Sequence, residues 1–141
     1  MAVAALLAFG VDFASKTIAV AAEPSTLLFN VSQRSPFGLG ESLILVVVAC
    51  SLVACILPTR VVALAAGVAL GGAFGNLASL HVWSELGGSP DFIRFGDGST
   101  GNVADIFLFV GGLSTVVGAL LWVGRTYVGS RRRGDGGLRA A

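Results

Sequence analysis

Residues 61–80 read VVALAAGVALGGAFGNLASL, an apolar stretch of 20 residues without a charged side chain. A helix that crosses the hydrocarbon core of a bilayer needs about 20 mostly apolar residues. The length and composition of this stretch therefore predict a transmembrane helix. Its small residues recur every four positions, which predicts a helix face against which another helix packs closely; they are Gly67, Gly71, Gly75 and Ser79.

Three further apolar stretches of similar length lie at residues 1–22, 39–57 and 103–123. Only Pro58, Thr59 and Arg60 separate the second stretch from the third, and so short a connection predicts an antiparallel pair of helices. Hydrophobic residues make up 55% of the chain and charged residues 12%, about half the roughly 25% of a soluble domain. We therefore predict an all-α integral membrane protein with four transmembrane helices. The net charge of +1 does not support nucleic-acid binding.

The arginines predict the orientation of these spans. Basic residues are enriched in cytoplasmic loops of membrane proteins, and six arginines fall on one side of the predicted spans: Arg60, Arg125, Arg131, Arg132, Arg133 and Arg139. We expect that side, with both termini, to be cytoplasmic. Residues 1–129 would form the four-helix membrane domain. Residues 130–141 would form a basic cytoplasmic tail, which we expect to be disordered.

Two ionisable residues, Asp12 and Lys16, interrupt the first predicted span and lie one helical turn apart. Ionisable groups inside a membrane span are costly and suggest a function. The two side chains either form an ion pair that faces the bundle interior or border a polar cavity, and both can hold together. For Asn76 we expect an interhelical hydrogen bond. For Asn30 we expect a role in a turn of the first outward loop, residues 23–38, which faces away from the cytoplasm.

Two carboxylates, Asp91 and Asp105, lie in and just after the second outward loop, which spans residues 81–102. Asn102 is a good helix N-cap, and Asp105 three residues later matches a capping box, whereas Asp91 by itself is an ordinary loop acid. Together, two carboxylates that share one proton can hydrolyse a peptide without a metal or a nucleophilic side chain. The cysteine and histidine pattern predicts no metal site.

The order of these motifs resembles that of bacterial lipoprotein signal peptidase, or signal peptidase II. The matching segments, in order, are Asp12-x-x-x-Lys16, Phe29-Asn30 followed by Phe37-Gly38, Gly71-Gly72-Ala73-Phe74-Gly75-Asn76, Asp91-Phe92-Ile93 and Asn102-Val103-Ala104-Asp105. Each segment by itself is weak evidence for the family. All five segments in this order, on four spans of the expected orientation, are specific evidence for it.

The resemblance implies an aspartic endopeptidase of the bacterial cytoplasmic membrane that cleaves diacylglyceryl-modified prolipoproteins just before the lipidated Cys. It implies four transmembrane helices with a small β-cradle on the outer face, no cofactor, and a monomer whose partners are its substrate and the surrounding lipid. Asp91 and Asp105 would be the catalytic pair. The residues that would bind substrate or support the site are Asp12, Lys16, Asn30, Gly72, Gly75, Asn76, Asn102 and Ala104.

The chain departs from the family pattern at Ser79-Leu80, where the family has Asp-Arg. In the family these two residues brace the site, so their replacement bears on activity. One alternative is therefore a non-catalytic paralogue that binds lipidated peptides. Another is a small four-helix proton-coupled transporter that uses Asp12 or Asp105, although the long stretch from His81 to Asn102 is unusual for such proteins.

Overall fold

The computed structural model describes residues 1–30, 39–57, 59–96 and 98–138. It is mostly helical, with four α-helices: α1 (Ala2–Ala22), α2 (Leu39–Ile56), α3 (Arg60–Val82) and α4 (Val103–Leu138). Their starts match the four predicted stretches to within one residue. Phe37-Gly38, one part of the family resemblance, lies outside the described residues.

Three of the helices, α1, α3 and α4, are long and apolar enough to cross a membrane, by length and composition. The apolar part identified in α2, Leu45–Ile56, is shorter. Large apolar side chains on the outward faces of these helices are exposed, as expected for surfaces that contact lipid, for example Leu6, Leu64 and Phe109. The mostly helical architecture is thus confirmed, and the count of four membrane spans remains a prediction.

Helix α3 occupies the centre of the bundle and packs against α1, α2 and α4. The small residues of α3 explain how α1 comes so close. A methyl group added at Gly67 would lie 2.5 Å from the carbonyl oxygen of Met1, and one at Gly71 would lie 2.5 Å from that of Ala5. Such distances leave no room for a side chain, so the predicted small-residue packing face is confirmed.

Helix α4 extends beyond the predicted end of its apolar stretch at Val123 and continues to Leu138. The residues after Val123 are less apolar, but none of them is a proline. Because no proline breaks the backbone hydrogen bonding, the helix can continue there. The disorder expected after residue 130 stays a prediction. The division into a membrane domain and a cytoplasmic tail remains a prediction.

The described residues between the helices form two small antiparallel sheets. Strand β1 (Leu28–Asn30) pairs with β2 (Ser89–Asp91), with Asn30 opposite Ser89 and Leu28 opposite Asp91. Strand β3 (Ile93–Arg94) pairs with β4 (Thr100–Gly101). Strand β1 lies in the first outward loop, which the family resemblance predicts to supply a β-cradle, whereas β2, β3 and β4 lie in the second outward loop.

A tight turn after α3 directs the chain into β2. The amides of Leu86 and Gly88 both donate to the carbonyl oxygen of Trp83, at 3.0 and 3.1 Å. Gly87 and Gly88 have φ angles of 102° and 121°, a region that residues with a Cβ rarely adopt. The turn therefore depends on this glycine pair, and it sets the position of Ser89 and Asp91.

Candidate functional site

The site begins with the buried ion pair on α1. Lys16 Nζ lies 2.8 Å from Asp12 Oδ2, and both side chains have no exposed surface. Asp12 Oδ1 accepts a hydrogen bond of 2.8 Å from the backbone amide of Ala104, in the first turn of α4. A carboxylate at a helix N-terminus also interacts favourably with the helix dipole. The predicted ion pair is confirmed, and it connects α1 to the start of α4.

Asn76 on α3 links this ion pair to one of the two acids. Its Oδ1 accepts a hydrogen bond of 2.6 Å from Lys16 Nζ, and its Nδ2 donates one of 2.9 Å to Asp105 Oδ1. The two ends of the carboxamide thus face a cation and a carboxylate, as the donor and acceptor character of an amide requires. The predicted interhelical hydrogen bond of Asn76 is confirmed, and it reaches both α1 and α4.

Asn102 and Asp105 form a reciprocal cap at the start of α4. The backbone amide of Asn102 donates to Asp105 Oδ2 at 2.9 Å, and the backbone amide of Asp105 donates to Asn102 Oδ1 at 3.3 Å. Each side chain thus satisfies an amide that the helix leaves unpaired. The capping box predicted from the sequence is confirmed, and it fixes the carboxylate of Asp105 relative to Asn102.

The same Asn102 side chain reaches the second acid. Its Nδ2 donates a hydrogen bond of 2.7 Å to Asp91 Oδ1. The hairpin of β3 and β4 makes this contact possible, because the amide of Phe92 bonds to the carbonyl oxygen of Gly101 at 2.9 Å. Asp91 is buried, with 3% of its surface exposed, whereas Asp105 is half-buried. One residue therefore connects two acids that are 14 positions apart in the sequence, through its side chain to Asp91 and its backbone amide to Asp105.

Sequence reasoning missed Ser89. Its side chain is buried, and its hydroxyl lies 3.4 Å from Asn76 Oδ1 and 3.4 Å from Asn102 Nδ2. Alternate residues of a strand point to the same side. The position of Ser89 two residues before Asp91 could therefore have indicated that both side chains face the site. The Ser89 hydroxyl therefore lies between the side-chain amides of Asn76 and Asn102, which donate hydrogen bonds to the two acids.

Gly72, Gly75 and Ala104 allow the helices to approach each other at the site. A methyl group added at Gly75 would overlap Asp12 Oδ2, and one added at Gly72 would lie 2.6 Å from the carbonyl oxygen of Ala104. Ala104 itself is completely buried. These three residues are small because the carboxylate of Asp12 and the first turn of α4 take up the space.

The remaining residues singled out in the sequence lie at the edge of the site. Asn30 is the last residue of β1, and its backbone pairs with that of Ser89; the role of its side chain remains a prediction. Ser79 is fully buried, and its hydroxyl donates to the carbonyl oxygen of Gly75 in its own helix at 2.6 Å. Ser79 thus bonds within α3.

These features define a helical protein with long apolar helices whose polar site contains two carboxylates that are both bound by Asn102. The chain belongs to the signal peptidase (SPase) II family, whose model matches residues 4–121. The resemblance predicted from the five motifs is thereby confirmed. This family comprises aspartic peptidases and is associated broadly with the processing of lipoprotein signal peptides. A search of curated proteins finds no match.

Proposed function

We propose that this chain is an aspartic endopeptidase that removes signal peptides from diacylglyceryl-modified prolipoproteins and cleaves just before the lipidated Cys. The observation that carries the proposal is the contact of Asn102 with both acids, through its side chain to Asp91 and its backbone amide to Asp105. Family membership over residues 4–121 supports the type of chemistry.

Asp91 and Asp105 would carry out the hydrolysis as a pair that holds one proton. The ionised carboxylate accepts a proton from a water molecule, whose oxygen attacks the carbonyl carbon of the peptide bond. The protonated carboxyl donates its proton to the carbonyl oxygen, which becomes a hydroxyl in the tetrahedral intermediate. The two acids behave as one titrating unit in this scheme. Collapse of the intermediate breaks the C–N bond. The leaving nitrogen takes the proton that the first carboxylate accepted from water, and a hydroxyl of the intermediate returns a proton to the second acid, which restores the pair.

The other polar residues would hold the pair in place. Asn76 and Asn102 direct N–H groups at three carboxylate oxygens: Asp105 Oδ1, Asp105 Oδ2 and Asp91 Oδ1. The Lys16 ammonium, paired with Asp12, fixes which end of the Asn76 amide faces Asp105. We assign supporting roles to these residues and to Gly72, Gly75 and Ala104, which permit the close packing.

The proposed setting is the bacterial cytoplasmic membrane, with both termini on the cytoplasmic side and the two acids near the outer surface. Arg60 at the start of α3 and Arg125, just after the apolar stretch of α4 that ends at Val123, support this orientation. In this setting the lipid anchor of the substrate holds the Cys at the depth of the acids. The substrate and lipid would be the partners, and the protein would act as a monomer.

The test is cleavage of a purified diacylated prolipoprotein by the purified full chain and by Asp91→Asn and Asp105→Asn variants. We expect the unmodified chain to release the signal peptide and each variant to lose at least about 99% of that activity, because Asn can neither accept nor donate the shared proton. Glu85→Gln is the matched control, since Glu85 is an exposed acid near the same surface. Cleavage that survives both Asp substitutions would overturn the assignment of the catalytic pair.

The family match favours a peptidase over a proton-coupled transporter. A non-catalytic lipopeptide-binding protein would bind the diacylated substrate without cleaving it. The same assay distinguishes that outcome when binding of the substrate is measured beside its cleavage.

A further inference from the structure

Ser89 carries a buried hydroxyl that takes no part in the proposed proton transfers. Its backbone is held from both sides. It follows the glycine turn that ends at Gly88, pairs with Asn30 across β1 and β2, and precedes the fully buried Pro90. The proline ring also restricts the backbone that follows. A change of side chain at position 89 should therefore leave the course of strand β2 unchanged.

The hydroxyl of Ser89 connects two side-chain amides. It donates to Asn76 Oδ1 and accepts from Asn102 Nδ2, both at 3.4 Å. An amide oxygen can only accept a hydrogen bond and an amide nitrogen can only donate one, so a group that both donates and accepts fits between them. Ser89, Asn76 and Asn102 are each 3% exposed or less. Bulk water therefore does not replace these bonds.

These two amides are the groups that bind the two acids. Asn76 Nδ2 donates to Asp105 Oδ1 at 2.9 Å, and Asn102 Nδ2 donates to Asp91 Oδ1 at 2.7 Å. The amide nitrogen of Asn102 thus directs one N–H at Asp91 and the other at Ser89. The hydroxyl therefore joins the donor of one acid to the donor of the other.

The bonds of Ser89 close a ring. Asn76 and Asn102 both donate to Asp105, the first with its side chain and the second with its backbone amide. Ser89 joins the same two residues through their side chains. Lys16 donates to the Asn76 oxygen that Ser89 also contacts, and so fixes which end of this amide meets the hydroxyl. A buried network whose members are all bonded is rigid.

We infer that Ser89 is a positioning residue, whose hydroxyl holds the amide that binds Asp91 and the amide that binds Asp105 at a fixed separation; the inference rests on the proposed peptidase function. Two carboxylates share one proton only when they lie close together. Loss of the hydroxyl lets the two amides move independently, which slows the chemical step. Because Ser89 is buried and acts through the two asparagines, substrate binding should stay the same.

The test compares Ser89→Thr with Ser89→Val, because the two new side chains have nearly the same shape and only Thr has a hydroxyl. kcat and KM are measured with a diacylated prolipoprotein. We expect kcat of Ser89→Val to be at least about tenfold below that of Ser89→Thr, with KM values within about twofold, since only the transition state is affected. Ser89→Ala adds no atoms and should resemble Ser89→Val, so it decides if the larger side chains do not fit.

Thr115→Val is the matched control for the loss of a buried hydroxyl. Thr115 is buried on α4 and donates to the carbonyl oxygen of Gly111 in its own helix at 2.8 Å. This variant should keep kcat and KM within about twofold of the unmodified chain. A merely structural role of Ser89 depends on shape, so equal kcat values for Ser89→Thr and Ser89→Val would overturn the inference. A higher KM with unchanged kcat would also overturn it.

A second measurement does not depend on cleavage. The chain contains three Asn and one Gln, so heteronuclear NMR of the isotope-labelled full chain in detergent micelles can resolve their side-chain amides. The signals missing from Asn102→Ser identify Asn102. We expect Ser89→Val to shift these signals upfield, because an amide proton loses its acceptor, and Ser89→Thr to leave them in place. Equal signals in both variants would overturn the inference. Absence of cleavage by the unmodified chain would contradict the peptidase function, whereas the amide signals would still decide whether Ser89 holds Asn102.

Discussion

Asn102 donates a hydrogen bond of 2.7 Å to Asp91 Oδ1 with the same side chain that caps α4. Its backbone amide binds the carboxylate of Asp105 at 2.9 Å. The start of α4 and the relative position of the two acids thus depend on one residue. Helix capping and the geometry of the proposed catalytic pair are therefore coupled at Asn102.

Substitution at Asn102 should separate these two roles. Ser is also a good N-cap, but its hydroxyl is too short to keep the contact with Asp91. We expect Asn102→Ser to lose about 1–3 kcal/mol, because the buried Asp91 loses this donor, and Asn102→Ala to lose about 1 kcal/mol more through loss of the cap. Both variants should lose about 100-fold in kcat/KM, because a misplacement of about 1 Å in a reacting group has an effect of that size.

Thermal unfolding in detergent and cleavage of the diacylated substrate measure these two effects side by side. Activity of Asn102→Ser near that of the unmodified chain would mean that the contact with Asp91 does not position the acid. If the loss of activity in the two variants is proportional to their loss of stability, then Asn102 acts only as the helix cap.

Lys16 should be needed for stability mainly because it neutralises the buried carboxylate of Asp12. Lys16→Met leaves the Asp12 carboxylate buried without its cation, an arrangement that typically destabilises a protein by about 3–5 kcal/mol. It also leaves Asn76 Oδ1 without the ammonium that holds the amide in its orientation. The amide can then rotate and present its oxygen to Asp105, so we expect cleavage to fall as well.

The Asp12→Asn, Lys16→Met double variant is the control for Lys16. It removes both charges but keeps an oxygen that can accept the Ala104 amide. We expect it to be more stable than Lys16→Met alone, as measured by thermal unfolding in detergent, since no unpaired charge remains in the interior. A double variant as unstable as the sum of the two single variants would show that the residues are not coupled.

The helices could be located from the sequence because their apolar stretches are long and are separated by polar or proline-containing segments. The individual contacts of Asp12, Lys16, Asn76 and Asn102 were also partly predictable, since an ion pair one turn apart and a capping box are local patterns. That Asn102 would reach Asp91 was not predictable. This contact depends on how the β3–β4 hairpin folds back, and on non-local pairings that local patterns do not encode.

The contribution of Ser89 was missed for a related reason. A serine before a proline reads as part of a loop, and its burial follows only from the pairing of β2 with β1. The apolar stretch at residues 103–123 predicts the start of α4 but not its end at Leu138, because hydropathy reports where a helix leaves the membrane and not where its hydrogen bonding ends. In both cases the deciding interactions lie outside the local sequence.

Ser79 should contribute little to activity. It stands where the family has Asp, but its hydroxyl bonds to the carbonyl oxygen of Gly75 within α3. A serine hydroxyl that bonds to the carbonyl oxygen one turn earlier makes its hydrogen bond within its own helix. We therefore expect Ser79→Ala to change kcat/KM by less than about threefold and stability by at most about 1 kcal/mol. A large loss of cleavage with unchanged stability would assign Ser79 a direct part in the site.

Gly75 should tolerate no side chain, whereas Gly10 should accept one. A methyl group at Gly75 would overlap Asp12 Oδ2, whose carboxylate is held by both Lys16 and Ala104 and cannot move aside. We expect Gly75→Ala to be destabilised by about 1–3 kcal/mol, as is usual for overpacking, and to lose activity as the start of α4 shifts. Gly10 lies in α1 with nothing within 4 Å of its added methyl group, so Gly10→Ala should be neutral or stabilised by up to about 1 kcal/mol.

Thermal unfolding of Gly75→Ala in an Asp12→Ala background decides whether the clash with Asp12 is the cause. Removal of the Asp12 carboxylate opens the space that the new methyl group needs. The destabilisation by Gly75→Ala should therefore be smaller in that background, and the difference is the coupling energy between the two positions. If Gly75→Ala destabilises both backgrounds equally, then the small residue at position 75 serves the packing of α3 as a whole and not the placement of Asp12.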